Sequence, residues 1–281
     1  MIAIVLYGLR ESLRRRMFVV VLVLTAGFLA LYAYGTDQAF EDTRGFVGVN
    51  ETLDTDELAG AIVFGLALFG TMFLGAVLAV FLTLNVVRGD AEAGLLQPLV
   101  VRPIGRAQLL LARFAGAAAV CVVYVLAVYL ALVGITWWAG GWTPDRLLTP
   151  GLEIAAAVVI VAAICVLGSV FLTATANGIG ALMIFGGGLV AGLLGEIGDV
   201  IDSPRLERIA RTAWWFLPFD ALYQDALHRL TVDTTGFASF VLRLGPFGGA
   251  HAAGSTLLLW SAAYLALVLG VAVAAFARRD L

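Results

Sequence analysis

Lysine is missing from this chain. All 17 basic residues among its 281 are arginine. A phosphate-binding loop of the GxxxxGK[ST] type needs its lysine to reach the β- and γ-phosphates, so none can be written here. Lysine Schiff-base chemistry is excluded as well. If ATP drives this protein, another chain must hydrolyse it. Charge of either sign is scarce: 13% of residues are charged, about half the roughly 25% of a soluble domain. Cysteine is limited to Cys121 and Cys165, both within apolar runs, where they read as small buried side chains. There is no HExxH, no GxSxG and no paired carboxylate inside an apolar run, which makes a membrane hydrolase a poor fit. No catalytic residue and no cofactor is assigned.

What the sequence has in excess is apolar length. Hydrophobic residues make up 62% of it, and mean hydropathy is +1.00. Six runs stand out, at about 17–35, 59–87, 114–138, 154–175, 178–199 and 255–277. Each holds the roughly 20 apolar residues that a ~30 Å hydrocarbon core requires. The expected fold is an all-α integral membrane protein with six transmembrane helices, one domain over 1–281. At about 1.5 Å per residue the second run exceeds roughly 40 Å, so it must tilt or emerge from the membrane.

Arginine placement orients the chain. With the N-terminus inside, ten arginines fall in short inner segments (Arg10, Arg14, Arg15, Arg16, Arg88, Arg102, Arg106, Arg113, Arg278, Arg279). Seven fall outside, five of them in the long segment 200–254, and long loops translocate with less regard to charge. Both termini are therefore expected in the cytoplasm. Residues 1–16 read as an amphipathic helix, with Ile2, Val5, Leu6, Leu9 and Leu13 on one face and Arg10, Glu11, Arg14 and Arg15 largely off it. Such a helix suits the membrane interface, and a cleaved signal peptide fits less well because no A-x-A site closes the following run.

Between the second and third runs lies a polar island, 88–113, with four Arg, two acids and two Pro among short apolar patches. This mix suits an amphipathic helix on the membrane face, where a soluble partner could push on it. The fourth and fifth runs are joined by a tight turn, 173–178, and the fifth is rich in glycine. Its Gly188 and Gly192 form a GxxxG pair that lets helix backbones approach closely, within the subunit or at a dimer seam.

The segment 200–254 is expected to lie on the outer membrane face. Ser203-Pro204 has the form of a helix start, and a second short helix is expected from Asp220 to about Leu230. Trp214, Trp215 and Phe216 suit the head-group belt. Glu196, Asp199 and Asp202 recur at i, i+3 and i+6 and read as solvated helix-end acids, with cation gathering at an outer mouth the sharper alternative. His228, His251 and Asp225 are too few for a metal site, and none is assigned. Centres of the apolar runs carry no ionisable residue. That argues against a proton- or sodium-coupled carrier, which needs a titratable relay or an ion-binding helix break.

With this topology in place, the island resembles the loop after the second membrane helix in permeases of the type-2 ABC export family. The residues that carry the likeness are Asp90, Glu92, Gly94, Leu95 and Leu96, then Pro103, Ile104, Arg106, Leu109, Leu110, Leu111 and Arg113. The Arg10-Glu11 pair, the Pro218-Phe219-Asp220-Ala221 segment before Tyr223 and the basic C-terminal end Arg278-Arg279 are also similar. The Pro-x-Asp segment points to the branch that contains the nitrous-oxide reductase maturation permease. The sequence departs from the family in a thin acidic cluster and in Arg113, where Lys is common, which leaves subfamily and substrate open.

The resemblance implies a transport subunit and not an enzyme. It implies a homodimer in a bacterial or archaeal plasma membrane, bound to two copies of an ABC ATPase, with lipid around it, an outer-face accessory protein as a further partner, and no nucleic acid. Asp90, Glu92, Gly94, Arg102, Pro103 and Arg106 would then form the coupling helix that meets the ATPase. The alternative is a non-transporting membrane scaffold or assembly factor that docks an outer-face partner through 200–254.

Overall fold

The structure, a computed structural model, describes residues 16–45, 55–84, 105–230, 252 and 254–278. Among these residues there are eight helices and no strand. They are α1 (Arg16–Gly45), α2 (Thr55–Thr83), α3 (Arg106–Gly140), α4 (Thr149–Phe171), α5 (Ala174–Val200), α6 (Pro204–Phe216), α7 (Pro218–Leu230) and α8 (Gly254–Ala277). Six of them, all but α6 and α7, are long and apolar enough to cross a membrane. This is an all-α integral membrane protein. A hydrocarbon core offers the backbone no water, so the chain crosses it with peptide hydrogen bonds closed inside each helix.

The spans run beyond the apolar runs that announce them. α1 continues to Gly45 although charge returns at Asp37, and α3 begins at Arg106 although apolar residues become continuous only at Phe114. Both exceed the ~20 residues that fill the hydrocarbon, so each projects from it. The turn between α4 and α5 is shorter than 173–178, since α5 already starts at Ala174. Asn177 is the cause. It lies in the first turn of α5, and its Nδ2 donates to the Cys165 carbonyl of α4 at 2.9 Å. Gly168 leaves the space its side chain fills, because a Cβ there would collide with Asn177 Oδ1.

α4 is the centre of the bundle. It packs against α2, α3, α5, α7 and α8, and Ile154, Ala157, Val158, Val161, Ala162, Cys165 and Val166 are all buried. α1 and α8 lie at the periphery and turn large apolar side chains outward, among them Val23, Leu31, Leu259 and Leu267. In a membrane protein that surface faces lipid. α1 is pinned to α3 through hydroxyls: Tyr32 shares a hydrogen bond with Thr136 at 2.6 Å, and Thr25 shares one with Tyr124. α3 ends on Gly141, whose φ of +71° gives the left-handed cap that lets its N–H reach the Trp137 carbonyl.

Candidate functional site

At the end of the bundle where α2 stops and α3 starts, most of the expected coupling surface lies outside the described residues. That holds for Asp90, Glu92, Gly94, Arg102 and Pro103, and for Arg10, Glu11, Arg14 and Arg15 of the N-terminal segment. Arg106 is described. It is the first residue of α3 and exposed, with Gly105 at the N-cap position. The island therefore does not run to Arg113 as a loop. Its last two turns belong to α3, and Leu110 and Ala112 are already buried in the bundle. Leu109-Leu110-Leu111 and the neighbouring alanines favour helix, and neither Gly nor Pro stands between Arg106 and Arg113.

At the opposite end, the described part of 200–254 does not lie flat. α5 ends at Val200, Asp202 takes a left-handed φ of +52°, and the Ser203 N–H returns to the Gly198 carbonyl at 2.8 Å. The chain reverses there, so Asp202 leaves the helical face of Glu196 and Asp199. Ser203 holds the N-cap position of α6 and Pro204 its first turn, although the Ser203 side chain makes no cap hydrogen bond. α6 then runs back along α5: Gly198 abuts Leu206, Gly195 abuts Ala210, and Gly188 abuts Leu217 and Phe219. By Gly188 the chain has come back to the middle of α5. α7 starts there and climbs out again, ending where the Leu230 carbonyl accepts the Asp145 N–H. α6 and α7 thus form a re-entrant hairpin.

α7 is buried along nearly its whole length, although it carries Asp220, Gln224, Asp225, His228 and Arg229. Charge buried in this way must be paired. Arg229 Nε lies 2.7 Å from Glu153 Oε1 of α4, and its Nη2 lies 2.9 Å from Asp225 Oδ2. One guanidinium thus serves two buried carboxylates and fastens the hairpin to the central helix. Asp220 is different. Its Oδ2 accepts from Gln224 Nε2 at 2.9 Å, but its Oδ1 has no hydrogen-bond partner.

Asp220 looks into a cavity of about 470 Å³ between α5, α6 and α7. Gly192, Glu196 and Asp199 line it from α5, Glu207, Arg211, Trp214 and Trp215 from α6, and Asp220 and Gln224 from α7. Of the glycine pair, Gly192 lines it and Gly188 packs beside it against α7. A Cβ on Gly188 would lie 2.5 Å from the Phe219 ring, and one on Gly192 would lie 2.7 Å from Asp220 Oδ2. Both glycines face α7. Trp215 reaches α8, where its carbonyl accepts from Trp260 Nε1 at 3.1 Å and the two rings meet edge to face. Asp225, weighed as a ligand with His228, is instead bonded to Arg229. Among the described residues no group of three or more His, Cys, Asp or Glu could hold a metal ion.

The sequence signals for this end are partial. Asp225 and Arg229 stand at i, i+4, which announces their pair but not Glu153, 72 residues away by number. Nothing local marks Asp220 as buried, because its concealment comes from α5 and α7 meeting across glycines. Residues 2–281 match the model of one protein family, described as ABC-2 family transporter protein. No curated protein matches the chain.

Proposed function

The chain belongs to the ABC-2 family of transporter proteins, and from that premise we propose that it is the membrane-spanning half of an exporter, worked as a homodimer by two copies of a separate ABC ATPase. As a member of the family it is a multi-pass membrane transport component and not itself catalytic. The single observation that carries the reading is the family match over nearly the whole chain, on a bundle with six spans. The absence of lysine supports a separate motor, since this chain can form no Walker-type phosphate loop.

The coupling surface is Asp90, Glu92, Gly94, Arg102, Pro103 and Arg106. Force applied there enters α3 directly, because Arg106 is the first residue of a continuous 35-residue helix. At about 1.5 Å per residue that lever is roughly 50 Å long, more than the ~30 Å hydrocarbon core. α3 packs on α1, α2 and α4, so its tilt moves the centre of the bundle. The dimer seam crosses the outward face of α5, where Ile179, Met183 and Val190 are exposed and Gly187 opens onto empty space. Neighbouring α2 adds Leu66 and Phe73.

Co-purification with an ABC ATPase and measurement of its stimulated hydrolysis test the reading. Glu92→Arg and Arg106→Glu are expected to lower the stimulated rate at least about tenfold, the equivalent of one broken charged contact of ~1.4 kcal/mol. Full stimulation by both variants would remove the island from the mechanism. Cargo and subfamily, including the nitrous-oxide reductase maturation branch, are to be read from transport assays on the intact complex.

A further inference from the structure

The cavity between α5, α6 and α7 combines features that an ordinary packing void lacks. Its volume, about 470 Å³, is within the ~300–1,000 Å³ of small-molecule sites. Carboxylates come from all three helices (Glu196, Asp199, Glu207, Asp220) against one guanidinium, Arg211. Two indoles, Trp214 and Trp215, stand edge to face on the same wall with centroids 5.8 Å apart. Among the lining residues is Asp220, which is only 4% exposed and whose carboxyl group has Oδ1 unpartnered. A buried acceptor left in this state carries the full cost of its desolvation, which a donor or cation arriving from the cavity would remove.

The occupant follows from the chemistry of the walls. A hard divalent ion needs six or more oxygen ligands converging at 2.0–2.6 Å, and the acids here are spread over three helices without such a cluster. An organic ammonium needs less: one carboxylate to face, and an aromatic surface for its diffuse charge. Asp220 supplies the first and the Trp214–Trp215 wall the second, with the other acids setting a negative potential at the approach. We propose that this cavity binds an ammonium group, carried either by a free organic amine or by a lipid headgroup. Gly192 is part of the device, since a methyl there would collide with both Asp220 and Gln224. The site lies wholly within one subunit, so binding is independent of the ATPase and of the transport reading.

The test uses the purified full chain in nanodiscs of phosphatidylglycerol, whose headgroup bears no ammonium, with radiolabelled tetraethylammonium as probe in equilibrium dialysis. Saturable binding is expected, weakened about tenfold or more by Asp220→Asn and about threefold to tenfold by Trp214→Leu. Asp37→Asn, on exposed α1, is expected to bind as the parent does. If Asp220→Asn fails to fold, Trp214→Leu and Glu207→Gln, both on α6, which buries no residue, carry the test. Adding phosphatidylethanolamine separates the two sources: displacement of the probe assigns the site to a headgroup, and undisturbed binding assigns it to a free amine. Non-saturable uptake, displacement by magnesium as efficient as by unlabelled amine, or unchanged binding in both the Asp220 and Trp214 variants would overturn the proposal.

Discussion

Arg229 shows what a single side chain can hold together. It lies between Glu153 of α4 and Asp225 of α7, at 2.7 and 2.9 Å. The side chains of both acids are almost fully enclosed, while the Arg229 side chain keeps 28% of its surface exposed. Removing Arg229 would leave two carboxylates facing each other out of water. Arg229→Met keeps most of the apolar stem and deletes only the charge, so it isolates that effect. It is expected to cost about 3–5 kcal/mol, the range for breaking a buried pair from one side. The triple variant Glu153→Gln, Asp225→Asn, Arg229→Met removes all three charges together and is expected to recover most of the loss. Thermal unfolding in detergent reads both. An Arg229→Met protein as stable as the parent would show that water reaches these carboxylates, and the hairpin would then need another anchor.

Two neighbouring glycines separate the inner from the outer side of α5. Gly188 faces α7, where the Phe219 ring, itself stacked on Phe185 at 5.6 Å, leaves no room for a methyl group. Gly187 faces away from the subunit, with nothing within 4 Å. Gly188→Ala is expected to destabilise the subunit by about 1–3 kcal/mol through overpacking. Gly187→Leu is expected to leave the subunit's own unfolding unchanged and to shift the balance of monomer and dimer in size-exclusion chromatography. A Gly187→Leu protein with an unaltered dimer would move the seam off this face. The six spans were legible because hydropathy over 20 residues is a property of the segment alone. The hairpin was legible only as two helices, with Ser203-Pro204 and Pro218 marking their starts. Its depth was not, because α7 reads as surface: five of its 13 residues are Asp, Gln, His or Arg. What buries it is Glu153 from α4 and the glycine face of α5, contacts between distant parts of the chain that no local pattern records. The same holds at Arg106, where polarity suggests a loop but unbroken helix-forming residues extend α3 outward.

For the molecule as a whole, everything turns on which end of the bundle meets the cytoplasm. Arg106 at the start of α3 and Asp202 in the α5–α6 turn are both exposed, and they mark opposite ends. α5 alone, with 27 residues, separates its two ends by about 40 Å. The two native cysteines, Cys121 and Cys165, are buried, so a membrane-impermeant maleimide has little to react with in the parent chain. Cysteine introduced at either marker then reports its side of the membrane. Asp202→Cys is expected to label in intact cells. Arg106→Cys is expected to label only after the membrane is opened. The reason is energetic as well as topological: on the proposed reading a motor that burns cytosolic ATP can push only on an end it can touch, and the excess of arginine in the short segments at the Arg106 end is expected to hold that end inside. Labelling of Arg106→Cys in intact cells would place the coupling end outside, beyond reach of any ATPase, and the acidic cavity of α5, α6 and α7 would open to the cytoplasm instead.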